Sequence, residues 1–206
     1  MTDPSAPTRY GLGERLREKL PEILIEAGSV VFALLLALAL NQWNERQQEN
    51  ERAAIARSAI LAELRANRQE IDTAHGKLQQ IVTTLRDALD TSKPPPDRLQ
   101  VDLGISLLSA AAWHATLATQ ASQRIDFAWL THTAKLYELQ DHFLRVQNAA
   151  VDQLSAVPPD DSVGGKQIAA ALLPRFRALD QLAQDLQGGY AEALDAPLSN
   201  QPQARP

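Results

Sequence analysis

The stretch AGSVVFALLLALALNQWN, residues 27–44, decides the fold, because it lies between Glu26 and Glu45 without a single charged side chain. Residues 23–25 add apolar length in front of it. A helix over residues 23–43 would be about 30 Å long at 1.5 Å per residue, which matches the hydrocarbon core of a bilayer. We therefore predict a transmembrane helix over residues 23–43.

Trp43 lies at the C-terminal margin of this span, where aromatic side chains anchor helices in the headgroup region. A cleaved signal peptide is the alternative interpretation, since Ala37-Leu38-Ala39 offers a small-x-small cleavage site. The long leader of mixed charge and the helical pattern that continues past Trp43 favour an uncleaved anchor.

Residues 1–22 form a cytoplasmic or interfacial leader, in which Leu12, Leu16 and Leu20 recur at helical spacing among charged residues. This pattern predicts an amphipathic helix in the membrane interface, before the chain turns inward near Pro21. Basic residues before the span are Arg9, Arg15, Arg17 and Lys19, and those in the twenty residues after Asn44 are Arg46, Arg52 and Arg57. The small excess favours a cytoplasmic N-terminus and an external domain.

The chain after the span continues as a helical pattern. NERQQENER, residues 44–52, is polar on all sides and predicts a stalk over residues 44–59. Positions then alternate at spacings of four and three: Ile60, Leu64, Asn67, Ile71, Ala74, Leu78, Ile81, Leu85 and Ala88. This coiled-coil-like seam, with Asn67 as its one polar position, predicts a long bundle helix, because shorter helical patterns follow it.

The segment after Lys93-Pro94-Pro95-Pro96, which ends the long helix, is ambiguous. Apolar residues alternate strictly at positions 99, 101, 103, 105 and 107, which is a strand pattern, while 103, 107, 110 and 111 also fit one helix face. Because no partner strand is visible elsewhere, we interpret residues 99–111 as helix.

Two further helices are predicted. Asp126 can cap a helix that runs to about Ser155; its expected buried stripe is Trp129, His132, Leu136, Leu139, Phe143, Val146 and Ala150. A last helix has Ile168, Leu172, Phe176, Leu179, Leu182 and Leu186 on one face, with a kink at Pro174 and its end at Gly188-Gly189. The predicted fold is all-α: a transmembrane helix, a stalk helix, an antiparallel helical bundle over residues 60–195 and a disordered tail over 196–206.

The motif Asn41-Gln42-Trp43-Asn44-Glu45 at the end of the span resembles the N-terminal signature of a family of uncharacterised bacterial single-pass membrane proteins. A weaker similarity lies further along, where Trp113, Ile125, Leu136, Tyr137 and Gln140 occupy matching places. The resemblance implies a helical domain of unknown function in a bacterial membrane protein. Together with the basic residues before the span, it leads us to expect a location at the bacterial inner membrane with the helical domain in the periplasm. It assigns no catalytic residue, and the charge-balanced leader departs from the family pattern.

The search for chemistry finds no enzyme signature. The chain of 206 residues has no Cys, which excludes disulfides and thiolate metal sites, and its net charge of −5 argues against nucleic-acid binding. The four histidines, at positions 75, 114, 132 and 142, lack metal-ligand spacing, and Glu138–His142 and Asp141–Arg145 are spaced as solvated helix pairs. We therefore expect no catalytic, cofactor or metal site, and no small-molecule substrate is evident.

One face of the span is the remaining candidate site. At about 100° per residue, one third of the helix circumference carries Glu26, Ser29, Ala33, Ala37 and Asn41. Small residues at this spacing let helices approach closely, so the stripe predicts association of the span with a second copy or another membrane protein. Chance spacing, and a Glu26 side chain that reaches the headgroups, are the alternatives.

Two classes of function remain open. The first is a non-enzymatic, membrane-anchored interaction module that acts as a sensor, scaffold or accessory subunit. The second is a small oligomeric channel or ion-coupled membrane component that uses the span and Glu26, since an acidic residue at a span margin is often functional.

The predicted topology can be tested with one substitution in this cysteine-free chain. Ser162→Cys should react with a membrane-impermeant maleimide in intact cells whose outer membrane has been permeabilised, because an external domain exposes this loop. Gel-shift detection of the labelled protein measures the reaction. Labelling only after lysis would place the domain in the cytoplasm.

Overall fold

A computed structural model describes residues 12–92, 104–156 and 164–195, with side chains from residue 24 onward. Its elements are α1 (Leu12–Leu89), α2 (Ala111–Ala118), a 3₁₀ helix (Gln120–Arg124), α3 (Phe127–Ser155) and α4 (Gly165–Asp195). No strand occurs in the three described ranges, and the predicted all-α class with a long N-terminal helix and a bundle is confirmed. The tail and the segments around Pro94 and Pro158 lie outside the described residues.

The chain divides into two compact units, Met1–Glu49 and Asn50–Pro206. In the first unit, α1 is long and apolar enough to cross a bilayer, and its most apolar window contains no buried residue. The expected turn near Pro21 was wrong, because α1 begins at Leu12 and stays helical through that proline. A proline within a helix leaves one preceding carbonyl without its usual N–H donor, and water can bond to that carbonyl where it is exposed.

The second unit is built on three long helices whose directions follow from their contacts. The contacts between α1 and α3 include Arg57–Trp129, Glu63–Tyr137 and Asn67–Gln140. From one pair to the next the residue numbers increase on both helices, so the two helices run parallel. Helix α4 runs antiparallel to α3. Its contacts with α3 include Gln140–Tyr190 and Ala149–Arg175, so the residue numbers decrease on α4 as they increase on α3.

The predicted seam of α1 is confirmed at every position from Ile60 to Ala88, including the polar Asn67. Packing begins with the buried Ala53, inside the stretch predicted as a stalk. A seam of period 3.5 stays on one face of the helix, which explains why sequence spacing alone located these residues.

Helix α3 begins where the sequence predicted it. The Asp126 carboxylate accepts a hydrogen bond from the Trp129 amide at 2.8 Å, which satisfies one of the unpaired N–H groups of the first turn. The buried stripe is broader than predicted: His132, Leu139 and Val146 are half-buried, while the fully packed face includes Thr133, Tyr137, Gln140 and Gln147. Polar side chains therefore occupy core positions that an apolar pattern does not reveal.

The end of α4 was predicted wrongly. Gly188 and Gly189 lie inside a helix that continues to Asp195, and the buried Tyr190 and Ala193 extend its packed face. Glycine in a helix interior costs only about 1 kcal/mol, which burial of the Tyr190 ring offsets. A Cβ on Gly189 would lie 2.8 Å from Leu136 Cδ1, so the glycine permits close packing of α4 on α3.

A matched pair of phenylalanines tests the bundle. Phe143 is 1% exposed and Phe127 is 81% exposed. We expect Phe143→Ala to lower the free energy of unfolding by about 3–5 kcal/mol, because it leaves a cavity. Phe127→Ala, the control, should change it by less than about 0.5 kcal/mol in the same denaturant titration. Equal effects would contradict the bundle packing.

Candidate functional site

The connection from α1 to α3 carries the most unusual arrangement in the bundle. Residues 104–110, which we call the strap, are neither helix nor strand, so the predicted helix over 99–111 is wrong for the described part of that segment. The strap contacts α1 in descending order: Leu107 pairs with Glu70 and Ser109 with Asn67, and Ala112 of α2 then pairs with Glu63. It therefore runs antiparallel to α1 and returns the chain toward the start of α3.

Side-chain amides hold the strap by its backbone. Gln147 of α3 accepts from the Ser106 N–H at 2.9 Å and donates to the Ser106 carbonyl at 3.2 Å. Asn67 of α1 does the same for Ser109, accepting from its N–H at 2.9 Å and donating to its carbonyl at 2.7 Å. Each amide thus pairs with one residue as a neighbouring β-strand would.

These pairs explain why the strap is extended. A helix would satisfy its own backbone groups, whereas an isolated extended segment leaves them unpaired, at a cost of about 1–3 kcal/mol for each buried group. Asn67, Gln140 and Gln147 supply the missing partners. The absence of a partner strand therefore did not imply a helix, and the described residues 104–110 form neither element.

Gln140 connects the strap to all three long helices. Its Nε2 donates to the Ser109 carbonyl at 3.0 Å, and its Oε1 accepts from Asn67 Nδ2 at 3.0 Å and from the Tyr190 hydroxyl at 2.9 Å. Both ends of the Gln140 amide are therefore fixed. A fully satisfied buried network of this kind specifies one arrangement of the helices around it.

Glu63 caps α2 from outside the helix. The N-cap residue Ala110 has no side chain that can accept a hydrogen bond. Glu63 Oε2 accepts instead from the Ala112 N–H at 3.0 Å and Oε1 from the Trp113 N–H at 3.4 Å. A negative charge at this end also interacts favourably with the helix dipole.

Two hydroxyls complete the surroundings of the Glu63 carboxylate. The Tyr137 hydroxyl donates to Oε1 at 2.6 Å, and the Ser109 hydroxyl donates to Oε2 at 2.7 Å. The Tyr137 ring stacks on Trp113 with centroids 5.1 Å apart, and the Arg57 guanidinium lies 4.9 Å from the centroid of the Trp129 ring. The start of α2 is thus held by the Glu63 carboxylate, which bonds to its N–H groups, and by the stacked rings of Trp113 and Tyr137.

The electrostatics of the site keep this pattern of donors and acceptors in place. Burial alone would raise the pKa of Glu63, but hydrogen bonds from Tyr137, the Ala112 amide, Ser109 and the Trp113 amide together lower it. Burial raises the pKa of Tyr137, and so does its hydrogen bond to Glu63. Burial and the nearby Glu63 charge also raise the pKa of Tyr190. Glu63 is therefore an acceptor and both tyrosines are donors at neutral pH.

The residues predicted as an oligomer face lie elsewhere, in the first unit. All are exposed: Glu26, Ser29, Ala33, Ala37 and Asn41, together with Trp43, the predicted interfacial anchor. The Ser29 hydroxyl donates to the Glu26 carbonyl at 2.8 Å, and Asn41 Nδ2 donates to Glu45 Oε1 at 2.9 Å. The stripe keeps its spacing on the helix, and its role in association stays a prediction.

The histidines are dispersed. His75 Nε2 lies 3.3 Å from Asp180 Oδ1, and His132 Nε2 lies 4.0 Å from Glu192 Oε2, each across two helices. The predicted Asp141–Arg145 helix pair forms at 2.6 Å on the surface. Within the three described ranges, no group of three or more His, Asp or Glu side chains could hold a metal ion.

Sequence reasoning missed most of the residues that hold the strap. Glu63, Asn67 and Glu70 are spaced by four and three on α1, and Gln140 and Gln147 are seven apart on α3. These are the spacings of one helix face. The signal that could have found them is a polar residue at the same helical spacing as the apolar stripe. This signal identified only Asn67.

Comparison with protein-family models, with curated proteins and with solved structures found no match to this chain. Chemically, the site binds backbone: its amides and carboxylate recognise N–H and C=O groups, and both Glu63 oxygens already accept two hydrogen bonds each.

The Glu63 cap predicts how the free energy of unfolding changes with pH. Glu63→Gln should lower the free energy of unfolding at pH 7 by about 1–3 kcal/mol, because a neutral amide accepts less strongly and adds an unpaired donor. The folded-state pKa is below the ordinary value of 4.5, so the ionised group stabilises the fold above that value. The wild-type advantage should shrink as the pH falls through the lowered pKa.

Denaturant titrations between pH 7 and pH 3 measure this difference. Tyr137→Phe keeps the stacked ring and removes only the hydroxyl, so it should reproduce part of the loss. Glu138→Gln, at an exposed position of α3, is the control and should have little effect. A wild-type advantage that stays constant or grows toward pH 3 would contradict the role given to the Glu63 charge.

Proposed function

We propose that this protein is a non-enzymatic interaction module, held in a membrane by α1, that serves as a sensor, scaffold or accessory subunit. The observation that carries the proposal is the apolar stretch of α1, none of whose most apolar window is buried. Side chains such as Phe32, Leu35 and Leu38 are more than half exposed. Exposed apolar area on this scale has a favourable environment in lipid.

The proposed location is a bacterial inner membrane with the N-terminus in the cytoplasm and the bundle in the periplasm. The excess of basic residues before the span supports this orientation. The Asn-x-Trp-Asn-Glu motif at residues 41–45 supports the bacterial setting through the family resemblance.

The bundle supports interaction better than catalysis. Its polar core groups bind its own backbone, and the carboxylate with the most contacts, Glu63, stabilises a helix start. Among the described residues of the bundle, five large apolar side chains are more than half exposed and available to a partner: Ile55, Ile105, Leu107, Leu117 and Phe127.

The proposed partner of the span is a second copy of the chain. Ser29, Ala33 and Ala37 offer a surface where another helix backbone can approach closely, and Asn41 adds a polar group that can pair across the contact. Close packing and polar contacts must drive association, since lipid provides no hydrophobic advantage for it.

Cysteine crosslinking in native membranes tests anchoring and association together. Ala33→Cys, on the small-residue stripe, should give a disulfide-linked dimer after mild oxidation. Leu35→Cys, about 200° around the helix, is the matched control and should give much less. Dimer yield on a non-reducing gel is the measurement. Equal or greater yield at residue 35 would contradict the stripe, and release of the chain from carbonate-washed membranes would contradict the anchor.

A further inference from the structure

The strap occupies a groove between α1 and α3 that recognises its backbone. Gln147 and Asn67 each bind both the N–H and the carbonyl of one strap residue, and Gln140 adds a third amide at Ser109. Backbone contacts of this kind depend little on sequence. Peptide-binding proteins use them to hold extended segments, while pockets for alternate side chains provide selectivity.

The strap fills this groove unevenly through its side chains, because Leu108 and Ala110 are partly buried against the core while its other apolar side chains are not. Ile105 and Leu107 are 56% and 82% exposed, so these two apolar side chains contribute little burial. Ser106 faces inward and is 2% exposed, yet its hydroxyl has no hydrogen-bond partner among the described residues. A buried, unpaired hydroxyl opposes docking of the strap, because the hydroxyl gives up its hydrogen bonds to water and gains none in the protein.

Burial alternates along the strap: positions 104, 106, 108 and 110 face the bundle, and Ile105 and Leu107 face away from it. Successive side chains of an extended segment point to opposite sides, so the inward Ser106 forces its two apolar neighbours outward. Segments with few buried apolar contacts open at a low free energy, well before the whole domain unfolds. Apart from the partly buried Leu108 and Ala110, the strap is held by hydrogen bonds, each of which contributes little net stability.

We infer that the groove lined by Asn67, Gln140 and Gln147 is a binding site for an extended peptide segment, which the strap occupies as a displaceable internal ligand. The inference rests on the proposed function and names the class of partner for the bundle. The preferred ligand presents free backbone amides at the positions of Ser106 and Ser109. It carries a small apolar residue, such as alanine, in place of the inward Ser106.

A labelled peptide with the strap sequence, GISLLSA, tests the site on the full chain in lipid nanodiscs. Fluorescence anisotropy should show saturable binding that empty nanodiscs lack. A control peptide, N-methylated at the residue that matches Ser109, loses the donor that Asn67 accepts and should bind at least tenfold more weakly. No saturable binding, or equal binding of the methylated peptide, would overturn the proposal.

Two reciprocal substitutions separate displacement from adventitious binding. Alanine at the Ser106 position of the peptide should tighten binding about fivefold, because the unpaired hydroxyl is removed. Ser106→Ala in the chain should weaken binding of the original peptide about fivefold, because the strap closes more firmly. Ser155→Ala, at an exposed serine, is the control and should change neither value. Effects of the same sign in peptide and chain would contradict competition for one groove.

Amide hydrogen exchange on the full chain provides a readout without peptide. The Ser106 and Ser109 amides should exchange faster than those of α3, and Ser106→Ala should slow them about fivefold. Exchange of these amides only by global unfolding would overturn the displaceable strap. If the strap fails these tests while Ala33→Cys still crosslinks, the groove is excluded and the anchored module stands.

Discussion

Parallel packing of α1 against α3 imposes one constraint on the rest of the bundle, because the chain must travel back along α1 before α3 can begin. A helix could make that return, but it would need its own packed face between two helices that already contact α4. The strap makes part of that return without forming a helix, and α2 and the 3₁₀ helix follow it. Its backbone then needs hydrogen-bond partners, and amide side chains of α1 and α3 provide them.

The same constraint explains the polar residues in the core. Gln140, Gln147 and Asn67 stand at positions where an apolar side chain would pack, and each would carry a desolvation cost if left unpaired. Their partners are backbone groups of the strap, which face the same cost. Each pair therefore removes the desolvation cost of the side-chain amide and that of the backbone group together. Glu63 likewise pairs with the unbonded N–H groups at the start of α2.

Features that follow from spacing or contacts within one helix could be predicted from sequence, and the polar contacts between distant segments could not. The seam from Ile60 to Ala88 and the Asp126 cap follow local rules of spacing and hydrogen bonding, so they were predicted correctly. Gly188-Gly189 failed as a helix end because Tyr190 burial outweighs a local preference. The role of Glu63 depends on residues about fifty and seventy positions away, and no spacing within a helix encodes such distant partners.

Asn67 has a role that neither the seam nor the strap explains alone. A heptad seam of similar apolar residues allows a helix to shift along its partners, since Ile60, Leu64 and Ile71 are close in size and shape. Only one position of the seam carries an amide, and that amide must lie opposite Ser109. A shift of α1 by one heptad would place Ile60 or Ala74 there and leave both backbone groups of Ser109 without their α1 partner. The single polar seam position therefore fixes the register of α1, and with it the position of Glu63 beneath α2.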